Sequence, residues 1–108
     1  MSTAALARAI ALLGLHDVEL VALFHVPADE IARWKRSGVP EERAADVAAV
    51  EDVARRLAVW LEGDRLRSFI RQPRADLGGR PLIQVLAEEG PAPVHAEIDR
   101  QLALGLLP

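Results

Sequence analysis

The sequence predicts an all-α protein, with an N-terminal helix-turn-helix bundle joined by a long helix to a C-terminal helical segment. Alanine, leucine and arginine dominate the 108 residues, tyrosine is absent and aromatic residues make up only 4%. That composition suits helices and leaves little from which to build a sheet. Apolar residues recur at three- and four-residue steps along most of the chain, and glycine and proline fall between the periodic stretches.

Leu6, Ile10 and Leu13 trace one face of a first helix from about Ala4, and Gly14 is placed to end it. A second helix is expected over Asp17 to Phe24, with Asp17 near its positive end and Leu20, Leu23 and Phe24 inward. His25-Val26-Pro27 breaks it, and a third helix follows from Ala28 to Arg36 with Ile31 and Trp34 on its inner face. Ser37-Gly38-Val39-Pro40 stops that helix. From Glu41 to Leu61 the stripe Val47, Val50, Ala54, Leu57, Leu61 predicts one long helix bridging both halves.

Beyond Gly63 a short helix is expected over Asp64 to Ile70, closed by Gln72-Pro73. Leu77-Gly78-Gly79-Arg80-Pro81 reads as a turn into a helix with Pro81 at its first position and Leu82, Val85 and Leu86 inward. Gly90-Pro91-Ala92-Pro93 should end that helix. A last one, from Val94 to Leu104, aligns Val94, Ile98 and Leu102 before the apolar tail Gly105 to Pro108. The segments are therefore a helix-turn-helix unit over 1–40, a connecting helix over 41–62 and a second helical unit over 63–108.

The formal net charge of −3 and a pI near 5.6 do not describe a generally basic protein, so any contact with nucleic acid must be local. Without cysteine there is no disulfide framework and no thiolate metal site. The three histidines lie far apart with no His-x-x-x-His pair, and no serine sits in a nucleophile elbow. Glu41-Glu42, Glu51-Asp52 and Glu88-Glu89 diverge around their helices and read as solubilising. No metal, cofactor or catalytic centre is expected. No stretch approaches the ~20 apolar residues of a membrane span, and no signal segment is evident, so a cytoplasmic protein with no membrane partner is expected.

A helix-turn-helix needs small or apolar residues where its helices cross, a tight turn, and polar residues outside the second helix. Glu19-Leu20-Val21, Phe24-His25-Val26-Pro27, Ile31 and Trp34 supply that order and resemble Xre-type regulators. Val21 stands where such proteins usually have a small alanine, and His25 where they have a turn glycine, so a left-handed turn residue would be strained here. The second half, through Trp60, Leu77-Gly-Gly-Arg-Pro-Leu82, Gly90 and Gly105, resembles the C-terminal domain of the Xre/MbcA/ParS antitoxins.

That resemblance implies an antitoxin that neutralises a RES-type toxin, a family associated with NAD degradation, and represses its own operon through the helix-turn-helix. It also implies that the tail Leu104, Gly105, Leu106, Leu107 and Pro108, with Arg80, meets the toxin. The alternatives are an interaction adaptor whose helix-turn-helix has lost DNA binding, or a free-standing repressor.

Arg33, Lys35 and Arg36 are the candidates to contact operator DNA, because arginine can bond guanine edges and lysine neutralises phosphate; the other reading is a solvated helix face. Asp29 and Glu30 in the same helix oppose phosphate unless turned away. Trp34 reads as a core anchor, and Trp60 as packing between the halves or at a subunit interface. A homodimer is expected, since helix-turn-helix proteins commonly match two half-sites; the stripe of the long helix serves either that dimer or the chain's own core. A tail this apolar must fold back on the core or be covered by a partner.

Overall fold

The computed structural model describes residues 2–107, and the described residues fold into seven α-helices and two short 3-10 turns with no strand. The helices are α1 (Ala4–Leu13), α2 (Asp17–Phe24), α3 (Ala28–Ser37), α4 (Ala44–Ala58), α5 (Gly63–Phe69), α6 (Leu82–Glu89) and α7 (Pro91–Ala103). The first two helices match the sequence reading, and α3 runs one residue past Arg36.

Three expectations need correction. The long helix does not start at Glu41: Glu41–Arg43 forms a 3-10 turn after Pro40, and α4 runs from Ala44 to Ala58. Here Arg43 bonds the Phe24 carbonyl and pairs with Asp46 at 3.0 Å, turning the chain at the helix start. Pro81 is not the first helical residue but the extended residue before it, with ψ of 157°. Finally, Gly90 ends α6 as expected, but the last helix starts at Pro91 and not at Val94. Pro91 and Pro93 occupy the first turn of α7, where the missing N–H groups would have had no helical partner anyway.

α1 lies along α4, α7 packs on both α4 and α6, and α2 packs on α3 and α6. The apolar faces of all seven helices meet in one continuous core, from Leu6 to Leu107. Trp34 and Phe24 sit within it, their rings tilted at 58° with centroids 5.6 Å apart, and the Arg43 guanidinium covers the Trp34 ring. The whole α4 stripe, Val47, Val50, Ala54, Leu57 and Leu61, is buried in this intramolecular core, so it is not available to a dimer. Trp60 is not buried between the halves; it is 39% exposed.

One side chain stitches the two halves together. At the end of α5, Arg71 donates Nε to Glu19 Oε2 at 3.0 Å and Nη2 to Glu19 Oε1 at 2.7 Å. It also donates to the carbonyls of Leu13 at 2.8 Å, Gly14 at 2.9 Å and Arg67 at 2.9 Å. A guanidinium has five N–H groups, and all five are used. Gly14 closes α1 at φ 63°, and a Cβ there would stand 2.8 Å from the Arg67 side chain, so glycine serves both the turn and the approach of α5. Glu19 also accepts from the His16 amide at 2.9 Å, capping α2.

Arg71→Ala would remove the donors from three carbonyls and a carboxylate. Each hydrogen bond is worth about 1 kcal/mol net and the cluster is partly solvated, so the expected loss is about 2–3 kcal/mol. Urea denaturation should show it, with Arg71→Lys recovering little because a single ammonium cannot span the five acceptors. A loss below about 0.5 kcal/mol, the usual effect of a surface substitution, would contradict the assignment.

Candidate DNA-facing and partner-facing surfaces

The α2–turn–α3 pair is built locally by sequence. Pro27 is extended and starts α3, Asp29 and Glu30 occupy its positive end, and Lys35 and Arg36 its negative end. Ile31 and Trp34 turn inward, so Arg33, Lys35 and Arg36 are left outside. Two of these cations are engaged: Arg33 pairs with Glu30, and Lys35 pairs with Asp17 of α2 at 2.5 Å. Arg36 makes no ion pair among the described residues. Residues 1–40 carry four basic and four acidic side chains, and residues 63–108 six of each. The net negative charge therefore comes from residues 41–62, which begin four residues after the end of α3.

The Leu77-to-Pro81 motif is a loop closed on itself. The Arg74 amide donates to the Arg80 carbonyl at 3.3 Å and the Gly79 amide to the Arg74 carbonyl at 2.8 Å. Arg80 bonds the Leu77 carbonyl at 3.0 Å and pairs with Glu88 at 3.0 Å and Glu89 at 2.5 Å, on the last turn of α6. Glu88 and Glu89, read from sequence as solubilising, thus anchor the loop. Glu51, given the same reading, is instead buried and paired with Arg8. No spacing in the sequence marks the pair, since Arg8 and Glu51 meet only through the packing of α1 on α4.

Loop and tail are joined through α7. Arg100 grips the buried Glu97 carboxylate through Nε and Nη2, both at 2.9 Å, while Gln101 donates to it at 2.7 Å. The same guanidinium reaches Asp76, at the loop's start, at 2.6 Å. α7 ends in a Schellman turn, where the Leu106 amide donates to the Gln101 carbonyl at 2.9 Å and the Gly105 amide to Leu102 at 3.1 Å, with Gly105 at φ 68°. This turn sorts the tail: Leu107 is buried, whereas Leu104 and Leu106 are each 59% exposed. Pro108 lies outside the described residues.

α4 and α7 run side by side in the same direction, since Asp46 and Val50 neighbour Pro91 while Arg56 bonds His95 and pairs with Asp99. Their C-terminal ends therefore emerge at one end of the molecule, and Val59 and Trp60 after α4 and Leu104 and Leu106 after α7 are all exposed. Sequence reading singled out the leucines and Trp60 separately, not their shared end. No helix of the described residues is long and apolar enough to cross a membrane.

These features define an all-helical protein with a helix-turn-helix at its N-terminal side and exposed apolar side chains at the C-terminal ends of α4 and α7. No family model and no curated protein sequence matches the chain. Its fold is similar to that of a chain in the crystal structure of the M. tuberculosis MbcT–MbcA toxin–antitoxin complex, with a TM-score of 0.75 and 25% identity over 95% of this chain and 94% of that one. The resemblance to MbcA-like antitoxins read from the sequence thus extends to the three-dimensional fold.

The Glu97 cluster predicts an acid response. Hydrogen bonds from Arg100 chiefly, and from Gln101, hold the Glu97 carboxyl at about 2, against the ordinary 4.5, in spite of its burial. A carboxyl lowered on folding contributes stability above the unfolded value and loses it as pH falls toward the folded one. Urea midpoints should therefore drop between pH 4.5 and about 2, and Glu97→Gln should flatten that decline. Identical slopes in the two proteins would contradict the pairing.

Proposed function

We propose that this chain is an antitoxin that binds and neutralises a cognate RES-type, NAD-degrading toxin, and represses its own operon through α2 and α3. The observation that carries the reading is the near full-length likeness to a chain of a toxin–antitoxin complex. The surface supports it physically: Leu104 and Leu106 are each 59% exposed, and covering what remains open of each is worth about 1–2 kcal/mol. In this reading the toxin covers Leu104, Leu106 and the exposed edge at Trp60, with Arg80 holding the adjoining loop in shape. The chemistry belongs to the partner.

Neutralisation is tested by co-expressing the chain with the toxin encoded beside it. Leu104→Asp with Leu106→Asp should leave the melting temperature within a few degrees and weaken toxin binding at least tenfold, the equivalent of about 1.4 kcal/mol. Leu107→Ala should do the reverse, lowering the melting temperature because that side chain is buried. Full rescue of growth by the double variant would place the toxin elsewhere.

In the repressor part of the reading, Arg33 and Arg36 reach the DNA, Arg33 after exchanging Glu30 for phosphate. Arg33→Ala with Arg36→Ala should then weaken binding to the upstream duplex and lower the magnitude of the salt slope by about two. A second reading is favoured by the Arg33–Glu30 and Lys35–Asp17 pairs, which leave α3 nearly neutral: an interaction adaptor that does not bind DNA. Absence of any mobility shift with the unsubstituted protein would decide for the adaptor, and a shift unchanged in the double variant would take the DNA contact away from Arg33 and Arg36.

A further inference from the structure

His25 is the one non-glycine among the described residues with a positive φ, at φ 56° and ψ 43°. It stands at the turn between α2 and α3, where a side chain carries a left-handed backbone at a cost of about 1 kcal/mol or more. Strain of that kind persists only where surrounding contacts hold it, and the contact here is specific. The imidazole reaches across to α6 and bonds the Ala87 carbonyl at 3.1 Å; since a carbonyl only accepts, Nε2 carries the proton.

The ring also divides the gap between α2 and α6. On one side lies a cavity of about 390 Å³ floored by Ala22, Leu23 and Ile83; on the other lies one of about 260 Å³ beside Arg43 and Asp46. α3 is held in the core by Ile31 and Trp34 and packs as a helix on α2, so the bond to Ala87 adds a fixed tie at the turn that leads into it. The residue after Ala87 is Glu88, which binds Arg80. The turn that aims α3 is thus tied to the same turn of α6 that anchors the Leu77-to-Pro81 loop.

We propose that His25 is a positioning residue: its bond to Ala87 fixes the direction of α3 relative to the α6–α7 pair. DNA binding then depends on the second half of the chain, a consequence that rests on the repressor reading above. Glycine at this position separates the two contributions. It removes the latch while accepting the left-handed backbone without strain, so it is expected to keep or raise thermal stability and to loosen α3.

The cysteine-free chain allows spin labels at Ser37→Cys, the end of α3, and Ala96→Cys on α7. The interlabel distance distribution should broaden in His25→Gly and also in His25→Asn, which tolerates the same backbone but is too short for the latch. With unlabelled protein, affinity for the duplex upstream of the chain's own coding sequence should fall about tenfold if the competent orientation drops to about a tenth of the population. Unchanged distance distributions in both variants would overturn the positioning role. Broadened distributions with no duplex binding even by the unsubstituted protein would uphold it and refute the repressor reading instead. Broadened distributions with unchanged duplex affinity would refute the dependence of DNA binding on the latch.

Discussion

The structure depends on one guanidinium. Arg71, just past α5, satisfies the carbonyls that end α1, the carboxylate that caps α2 and the Arg67 carbonyl of α5, all with five donors held in one plane. Burial pushes the Glu19 carboxyl up, but the Arg71 bonds and charge, with the His16 amide, outweigh it and hold the group below the usual carboxylate range. Without this clamp the polar ends of two short helices would face each other unsatisfied. With it, α1 and α2 are fixed to α5, and the apolar faces behind them close on one core.

A shared core gives the function its form. Short helices are marginal alone and take their stability from tertiary packing, and α2 has only eight residues. The helix-turn-helix is therefore held by residues far along the chain: Arg71 at its start, the Ala87 carbonyl at its turn, and Arg43 over Trp34 beneath it. At the opposite side the Schellman turn after α7 decides which leucines the chain keeps and which it presents. A partner that covers the presented leucines meets the same helix that carries the Glu97 cluster, and through it the Leu77-to-Pro81 loop.

Much of this was legible in the sequence, for identifiable reasons. The starts and ends of α1 and α2 could be read because Gly14, Asp17 and His25-Val26-Pro27 mark them chemically. Ile31 and Trp34 were readable as core because three-residue spacing leaves them one face. The errors came where local signals have two readings. Pro91 and Pro93 break a helix that is already running but start one at its first turn, and sequence alone did not separate the cases. Glu41-Glu42-Arg43 reads as helical because a 3-10 turn shares the helix's composition.

The partners of the charged residues were not legible at all. Arg8 with Glu51, Arg71 with Glu19 and Arg80 with Glu88 and Glu89 join residues whose approach is set by packing, not by spacing along a helix. Arg80 in particular was read from the family resemblance as facing a partner. The structure gives it an internal use in holding its loop. For the tail, the two readings of an apolar end, folding back or awaiting cover, are divided between Leu107 and its neighbours.

The central claim is that the helix-turn-helix and the second half form one cooperative body. Unfolding of the Trp60→Phe variant in urea tests it directly, because the remaining indole, Trp34, reports on the helix-turn-helix while far-ultraviolet circular dichroism reports on all the helices. The account predicts coincident transitions with one midpoint and one slope. A fluorescence transition displaced from the dichroism transition would contradict it, showing that the helix-turn-helix comes apart from the rest of the chain.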